Sequence, residues 1–428
     1  MGQLKQHQLP HGTFFFAPHS YEVLGNESTF SHGHEHLLKS TFSSLLDDVV
    51  DIQKEKERCA RYNFNITNET HPKRRRLFLG SLLADDSMEV LRVLGTEVYN
   101  IFHTVSFIES NTTQSLTPRK WKYYDPIDIP NSLITLHQLF GPKTRVSVDY
   151  YVSALKEKFG IYGLGVEDVQ REGSSHRWAL NGMREDDIGI ISDADEVFTR
   201  DFLRAMQICD VPQFRPNQDC LNPKVIASTM VFESSPNCLT KDRRWFHPDA
   251  ILGECVENVG DALLHLPGKR EYKERHGMRL EGYGGKGNYS KYAAEGMTSN
   301  NSYPLWLPSD FRNQVGGVMF SGSDGSPTGY HFHNFFMSAD EVRNKYFTYG
   351  HAIHDATKKP IWDLHEDIKL AFDCAHGDRE KLLPFNASLS SVLPTYYLDD
   401  EAMVKRHQLW LSIVKEEEEY WSAKNQSS

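Results

Sequence analysis

The sequence predicts an α/β protein in which strands and helices alternate through the middle of the chain. Residues 77–83 form a continuous apolar run typical of a buried strand, and Asp86-Ser-Met-Glu89 is a capping signal before apolar residues at helical spacing. A second strand follows over His103–Ser110. Buried strands that alternate with helices favour a mostly parallel sheet with helices on both faces.

The same alternation continues downstream. A helix that includes Trp178–Met183 precedes an apolar strand that ends at Asp193, and Lys224–Phe232 has the pattern of a further strand. Ser338–Glu341 is a capping box that opens a helix after Gly329–Phe336. These elements predict an α/β nucleotide-binding core.

Composition changes define three regions. Residues 1–72 are polar and rich in histidine, which predicts a stem or tail with one helix near Phe42–Lys56. Residues 73–375 carry the alternating pattern and form the predicted catalytic domain, in which Gly268–Asn313 is expected to be irregular. Residues 376–428 are predicted to form a C-terminal helical annex.

Composition also excludes several classes of protein. The chain has 428 residues, of which 39% are apolar and 12% aromatic, enough for a large core. A net charge of −11 gives no overall basic field, so nucleic acid is not an expected partner. No run reaches the roughly 18 apolar residues of a membrane span, so membrane attachment is expected only through an anchor absent from this chain.

Cysteines and glycosylation sequons indicate the compartment. The six cysteines lack zinc-ribbon spacing, so they could form up to three disulfides or remain as six buried thiols. Sequons of the form Asn-x-Ser/Thr are roughly three times as frequent as chance predicts. They begin at Asn26, Asn65, Asn68, Asn111, Asn288, Asn300, Asn386 and Asn425. Together these features predict the lumen of the secretory pathway.

The segment Asp187–Glu196 carries the most informative chemistry. A β-branched run ends in Asp193 and Asp195, and Glu196 follows at once. Side chains two residues apart leave a strand on the same side, so the two aspartates form a two-pronged oxygen site. Mg²⁺ and Mn²⁺ prefer oxygen ligands, and α/β sheets bind ligands at the carboxyl ends of their strands. A metal-chelated diphosphate is the expected ligand.

Three interpretations of this acidic strand end remain open. The aspartates could cap local backbone amides in a turn. They could belong to a phosphatase of the haloacid dehalogenase type, whose Asp-x-Asp-x-Thr/Val motif is matched by Asp193, Asp195 and Val197, although at least two strands precede it here. They could form a glycosyltransferase site in which one carboxylate binds the cation and the other orients the ribose of the donor.

Three segments in order favour the last interpretation. Ser106–Thr113, Arg184–Glu196 and Gly329–His333 resemble the landmarks of glycosyltransferase family 17, over about Arg75 to Cys374. The founding activity of that family adds the bisecting N-acetylglucosamine of N-glycans through a β-1,4 linkage to mannose. The stretch Gln213–Val259 matches only loosely, so the acceptor stays open.

The resemblance implies a GT-A-like fold, a UDP-N-acetylglucosamine donor, Mn²⁺ or Mg²⁺, and a glycoprotein or oligosaccharide acceptor in the Golgi. It implies Asp195 as the first metal ligand and Asp193 as a ligand directly or through water. His331 is expected either to be a further ligand or to be a half-buried imidazole packed between Tyr330 and Phe332. Glu109, at the end of its strand, is expected either to contact the nucleoside or to organise the following turn.

The resemblance also implies inversion at the anomeric carbon, and an inverting transfer requires a general base. The donor diphosphate requires basic residues. Glu196 is the base candidate nearest in sequence, with Asp310 and Glu281 as alternatives. Arg177 and Arg184, shortly before the acidic strand end, are the expected diphosphate contacts. A non-catalytic carbohydrate-binding protein of the same fold remains the alternative from another functional class.

Overall fold

The computed structural model describes most of the chain between residues 50 and 426. The described residues are 7–9, 12–15, 50–68, 74–84, 86–123, 131–153, 164–215, 220, 223–240, 245–256, 259, 308, 312, 317–350, 352–377, 382–383 and 400–426.

Strands and helices alternate through these residues. The strands are β1 His7–Leu9, β2 Gly12–Phe15, β3 Leu77–Leu83, β4 Thr104–Ser110, β5 Arg145–Ser153, β6 Ile188–Ser192, β7 Glu196–Phe198, β8 Lys224–Ala227, β9 Thr229–Glu233, β10 Leu239–Thr240, β11 Asp249–Leu252, β12 Gly317–Phe320, β13 Gly329–His333 and β14 Leu382–Leu383. The helices are α1 Ile52–Arg61, α2 Met88–Val98, α3 Asn131–Phe140, α4 Leu164–Leu180, α5 Arg200–Ile208, α6 Ala339–Thr348, α7 Glu366–Ala375 and α8 Asp400–Gln426.

The larger sheet is mixed and, within the described residues, has the strand order β1-β2-β5-β4-β3-β6-β11-β8-β12. Its centre, β5-β4-β3-β6, is parallel, whereas β11 runs antiparallel to both β6 and β8. The chain adds β4 and β5 on one side of β3 and then returns to place β6 on the other. The carboxyl ends of β3 and β6 therefore form a topological switch point, where open α/β sheets bind ligands.

Helices cover both faces of this sheet, as the sequence predicted. On one face, Leu79 of β3 and Ile190 of β6 join a core cluster with α2, α3 and α5. On the other face, Phe78 and Ile191 pack with Trp178 of α4. The alternation along each strand thus sends successive apolar side chains into two separate cores, which confirms the α/β class.

A second, five-stranded sheet has the order β14-β10-β9-β13-β7 among the described residues. Strand β7 begins three residues after Asp193, and β13 pairs with β7 on one side and with β9 on the other. The acidic strand end therefore lies where the chain passes from the first sheet to the second.

The C-terminal helix α8 confirms the predicted helical annex. Its residues Trp410, Ile413 and Val414 pack with Ile368 and Phe372 of α7. Because α6 belongs to the same apolar cluster through Val342 and Tyr346, this helical layer begins well before residue 376.

Part of the predicted stem packs against the core. Helix α1 begins at Ile52, and only the end of the predicted Phe42–Lys56 helix overlaps it; residues 16–49 lie outside the described part of the chain. Cys59 of α1 forms a disulfide with Cys209, and Tyr62 is buried. Most of the predicted irregular segment Gly268–Asn313 also lies outside the described residues.

All six cysteines are paired, so of the two open interpretations the structure has three disulfides and not six buried thiols. The pairs are Cys59–Cys209, Cys220–Cys255 and Cys238–Cys374. Such pairing is typical of proteins that mature in an oxidising, secretory-type compartment. None of the described helices combines the length and apolar character that crossing a bilayer requires.

Candidate functional site

The acidic strand end lies at the switch point of the larger sheet. Asp193 follows β6 directly, Asp195 lies in the turn, and Glu196 opens β7. Asp86, three residues beyond the end of the neighbouring strand β3, is close enough to interact electrostatically with both aspartates. Adjacent parallel strands thus bring three aspartates to one edge.

Asp195 and His331 face each other across the join between the two sheets. Asp195 Oδ2 lies 3.4 Å from His331 Nε2 and 3.9 Å from Lys345 Nζ. Burial disfavours the charged carboxylate, but His331 and Lys345 outweigh it and lower the pKa of Asp195 to about 2. Burial likewise opposes the imidazolium, yet Asp195 raises the pKa of His331. The aromatic ring of Trp245 stacks on His331 with centroids 5.1 Å apart.

Asp193 is held by two arginines. Arg171 Nη2 donates to Oδ1 at 2.6 Å, and Arg312 Nη2 donates to Oδ2 at 2.8 Å. Both arginine side chains are almost fully buried, whereas 36% of the Asp193 side chain is exposed. The contacts are side chain to side chain and come from distant parts of the sequence, unlike the local amide contacts of a simple turn. Asp193 therefore has a fixed orientation with an exposed side.

Glu196 is a buried partner of Arg312. Arg312 donates to both carboxylate oxygens, and Trp245 Nε1 donates to Oε1 at 2.5 Å. Burial disfavours the charged form, but Arg312, His247 and His331 together lower the pKa of Glu196. A general base works best with a pKa near the operating pH and with access to substrate. The predicted role of Glu196 as the base therefore does not fit its surroundings.

The pKa of Asp86 is shifted upwards, whereas that of Glu196 is shifted downwards. Its side chain accepts a hydrogen bond from the Ala84 N–H at 2.8 Å, which favours the charged form. Burial nevertheless dominates and, with the charges of Asp195 and Asp193, raises the pKa of Asp86 to about 6. Perturbed pKa values that arise from burial and neighbouring charges cluster at functional sites.

The site residues fit a divalent cation in part. The Asp195 carboxylate and the His331 imidazole are close enough to share one ion, and Mg²⁺ or Mn²⁺ commonly binds through one or two protein ligands plus water and substrate phosphates. Asp193 already accepts hydrogen bonds from two arginines, which suits an orienting role or a contact through water better than direct ligation.

Other predicted site residues lie elsewhere. Arg177 is buried in an ion pair with Asp149, and Arg184 precedes the amino end of β6, whereas Asp193 follows its carboxyl end. The structure thus does not bring these two arginines to the acidic edge. Glu109 accepts hydrogen bonds from the backbone N–H groups of Lys122 and Tyr123, so it organises the following loop. Asp310 and Glu281 lie outside the described residues.

Four important neighbours are not evident from the sequence: Asp86, Arg171, Arg312 and Lys345. The sequence pattern places Asp86 in a helix cap, which Ser87 actually provides. Arg171 lies on helix α4, and its contact with Asp193 arises only when that helix packs against the sheet. Arg312 follows a long stretch without periodic pattern, so no local signal marks it.

A second group of potential metal ligands includes His333, which follows His331 by two residues on β13. Glu233, His333 and Asp367 each place one ligand atom within 4.8 Å of the others. The rings of His331 and His333 have centroids 4.9 Å apart, so this group borders the Asp195–His331 pair.

Comparison with known proteins adds no assignment: no protein-family model and no curated protein matches the chain.

Proposed function

We propose that this protein is a metal-dependent glycosyltransferase with a GT-A-like fold that transfers N-acetylglucosamine from UDP-N-acetylglucosamine to a mannose-containing glycan. The observation that carries the proposal is the facing pair Asp195 and His331, which meet where the parallel centre of the larger, mixed sheet passes into the second sheet. Resemblance to glycosyltransferase family 17 supports the donor, the β-1,4 linkage and the N-glycan acceptor. The disulfides and sequons support a secretory-pathway location, for which we propose the Golgi.

In this proposal Asp195 and His331 bind Mn²⁺ or Mg²⁺, which when bound stabilises the negative charge that develops on the leaving diphosphate. Asp193, held on two sides by arginines, presents its exposed side to the ribose of the donor. Lys345, 3.9 Å from Asp195, contributes positive charge on the same side. Arg171, Arg312 and Lys345 thus replace Arg177 and Arg184 as the basic residues of the proposed site.

We assign the role of general base to Asp86 rather than to Glu196. Asp86 is a carboxyl group at the acidic edge whose pKa, about 6, suits proton transfer near neutrality. Its position beside Asp193 and Asp195 makes it a better candidate than Glu196, whose carboxylate is occupied by Arg312.

The test is turnover of UDP-N-acetylglucosamine by the purified chain with Mn²⁺, with and without a mannose-containing oligosaccharide. Asp195→Asn is expected to lower turnover at least about 100-fold, since it removes a charged ligand. Asp340→Asn, at a side chain that is 96% exposed, serves as the matched control and is expected to retain full activity.

The alternatives predict different results. A non-catalytic carbohydrate-binding protein would bind glycan without turnover of any UDP-sugar. A phosphatase of the dehalogenase type would hydrolyse phosphomonoesters without a sugar nucleotide and would lose that activity on Asp193→Asn. Turnover by the wild-type chain that persists in excess chelator would exclude the proposed role of the cation.

A further inference from the structure

We propose that Glu233, His333 and Asp367 form a second metal site that binds a divalent transition-metal ion such as Zn²⁺. The three residues come from the end of β9, the end of β13 and the first turn of α7. Because β9 and β13 are parallel neighbours with Glu233 paired to His333 in register, the sheet itself sets these two side chains next to each other. The proposal does not depend on the proposed glycosyltransferase activity.

The distances suit direct coordination. His333 Nδ1 lies 3.0 Å from Glu233 Oε2 and 3.6 Å from Asp367 Oδ2. Bonds of about 2.0–2.1 Å at tetrahedral angles place zinc ligands about 3.3 Å apart, between these two values. Small rotations of the side chains would therefore bring one nitrogen and two carboxylate oxygens onto a single ion, with water in the fourth position.

The burial of the group calls for a cation. The Glu233 side chain is fully buried, and those of Asp367 and His333 are 2% and 14% exposed. Asn334 Nδ2 donates to Glu233 at 3.3 Å and His365 Nδ1 lies 3.1 Å from Asp367, and a shared cation would further offset the repulsion between the two buried carboxylates.

The imidazole of His333 supplies the one nitrogen ligand of the group, and its Nδ1 atom faces both carboxylates. A neutral imidazole offers a nitrogen lone pair to a metal ion. An imidazole with two carboxylates gives three protein ligands for one ion, which suits Zn²⁺ and similar transition metals, whereas Mg²⁺ usually binds through one or two protein ligands plus water and substrate phosphates.

The position of the group indicates a structural role beside the Asp195–His331 pair. An ion there would join the second sheet to α7, close to the disulfide that links Cys238 and Cys374. It would also fix the orientation of β13, which carries both His331 and His333.

The test is Zn²⁺ affinity of the chelator-stripped chain, measured by competition with a chromophoric chelator at pH 7. The wild type is expected to bind one Zn²⁺ at this group, with a Kd raised at least about 100-fold by Asp367→Asn. Asp373→Asn, on the same helix but at a carboxylate that is 35% exposed, is the matched control and should leave the Kd unchanged. Equal Zn²⁺ binding by the two variants would overturn the proposal.

Two further measurements distinguish Zn²⁺ bound by Glu233, His333 and Asp367 from Zn²⁺ bound by the Asp195–His331 pair or by surface carboxylates. Asp195→Asn should keep the tight Zn²⁺ site, so failure of the proposed transferase activity leaves this inference intact. X-ray absorption of the wild type with one equivalent of Zn²⁺ should show an imidazole and oxygen ligands, and a shell of oxygen alone would refute the site even if Asp367→Asn failed to fold.

Discussion

Arg312 holds Glu196 through two hydrogen bonds, 2.8 Å and 2.9 Å long, with both side chains almost completely buried. The same guanidinium also contacts Asp193. A residue remote in sequence therefore fixes the turn that carries the acidic edge, and the ion pair is part of the site's framework.

Breaking this pair is expected to be costly. Arg312→Met would leave the Glu196 carboxylate buried without its main counter-ion, and removing one partner of a buried ion pair typically costs about 3–5 kcal/mol. We expect a loss of that order in the free energy of unfolding, measured by urea denaturation. The double variant with Glu196→Leu should recover part of the loss, because the buried Glu196 carboxylate is removed together with its counter-ion, while Asp193 keeps its hydrogen bond from Arg171.

A matched control is the exposed pair Lys369–Asp373 on α7, with side chains 63% and 35% exposed. Exposed pairs contribute at most about 1 kcal/mol, so Lys369→Met should change stability little. Equal effects of Arg312→Met and Lys369→Met would contradict the structural role of Arg312.

The fold was predictable from the sequence where periodicity and burial agree. Strand β3, helix α2 and strand β6 are rich in buried apolar residues and are bounded by clear capping or polar residues. Strand β5 and helix α3 were not predicted, although both have apolar residues in the core. Strand β5 contains the charged residues Arg145 and Asp149 among its apolar residues, which obscures the pattern of a buried strand. In the structure Asp149 is paired with Arg177 of helix α4.

The candidate site was predictable only for residues that share a local motif. Asp193 and Asp195 follow from strand alternation and His331 from the family resemblance. The partners that decide their chemistry come from other elements: Arg171 from α4, Lys345 from α6, and Arg312 from the chain beyond residue 308. No local pattern encodes such contacts, because they arise from the packing of two sheets and a helical layer.

The raised pKa of Asp86 predicts a pH-dependent stabilisation by Asp86→Asn. Its folded pKa of about 6 exceeds the ordinary value of 3.8, so the native state loses stability as pH rises through this range. Above about pH 6 the penalty is fully present, and below about pH 4 it disappears. We expect Asp86→Asn to stabilise the chelator-treated chain by about 1–2 kcal/mol at about pH 7.5 and not at about pH 3.5.

Unfolding curves in urea at several pH values would measure this difference. Asp340→Asn provides the comparison, since its side chain is almost fully exposed. A stabilisation by Asp86→Asn that is independent of pH would show that the charge of Asp86 is not its cause.

Gly189 permits the close approach of α4 to the sheet. A Cβ at this position would lie 2.4 Å from Trp178 Cζ3, an impossible contact without movement. We expect Gly189→Ala to destabilise the fold by about 1–3 kcal/mol through overpacking. Adding Trp178→Phe, which removes the clashing part of the indole, should make the two changes non-additive in a double-mutant cycle measured by thermal unfolding. If the effects of the two substitutions on stability were simply additive, the destabilisation by Gly189→Ala would not arise from a clash with Trp178.

The stabilisation by each disulfide is expected to rise with the logarithm of the length of chain that it encloses. Cys238–Cys374 spans 136 residues and Cys220–Cys255 spans 35. Loop-closure entropy predicts that replacing the first pair with alanines costs more by about 1 kcal/mol, within a typical loss of about 2–5 kcal/mol for either. Chemical denaturation of the two double-alanine variants under non-reducing conditions measures the difference. A larger loss for Cys220–Cys255 would mean that local packing around Trp178 and Ile251, which share its apolar cluster, outweighs the entropy of the unfolded chain.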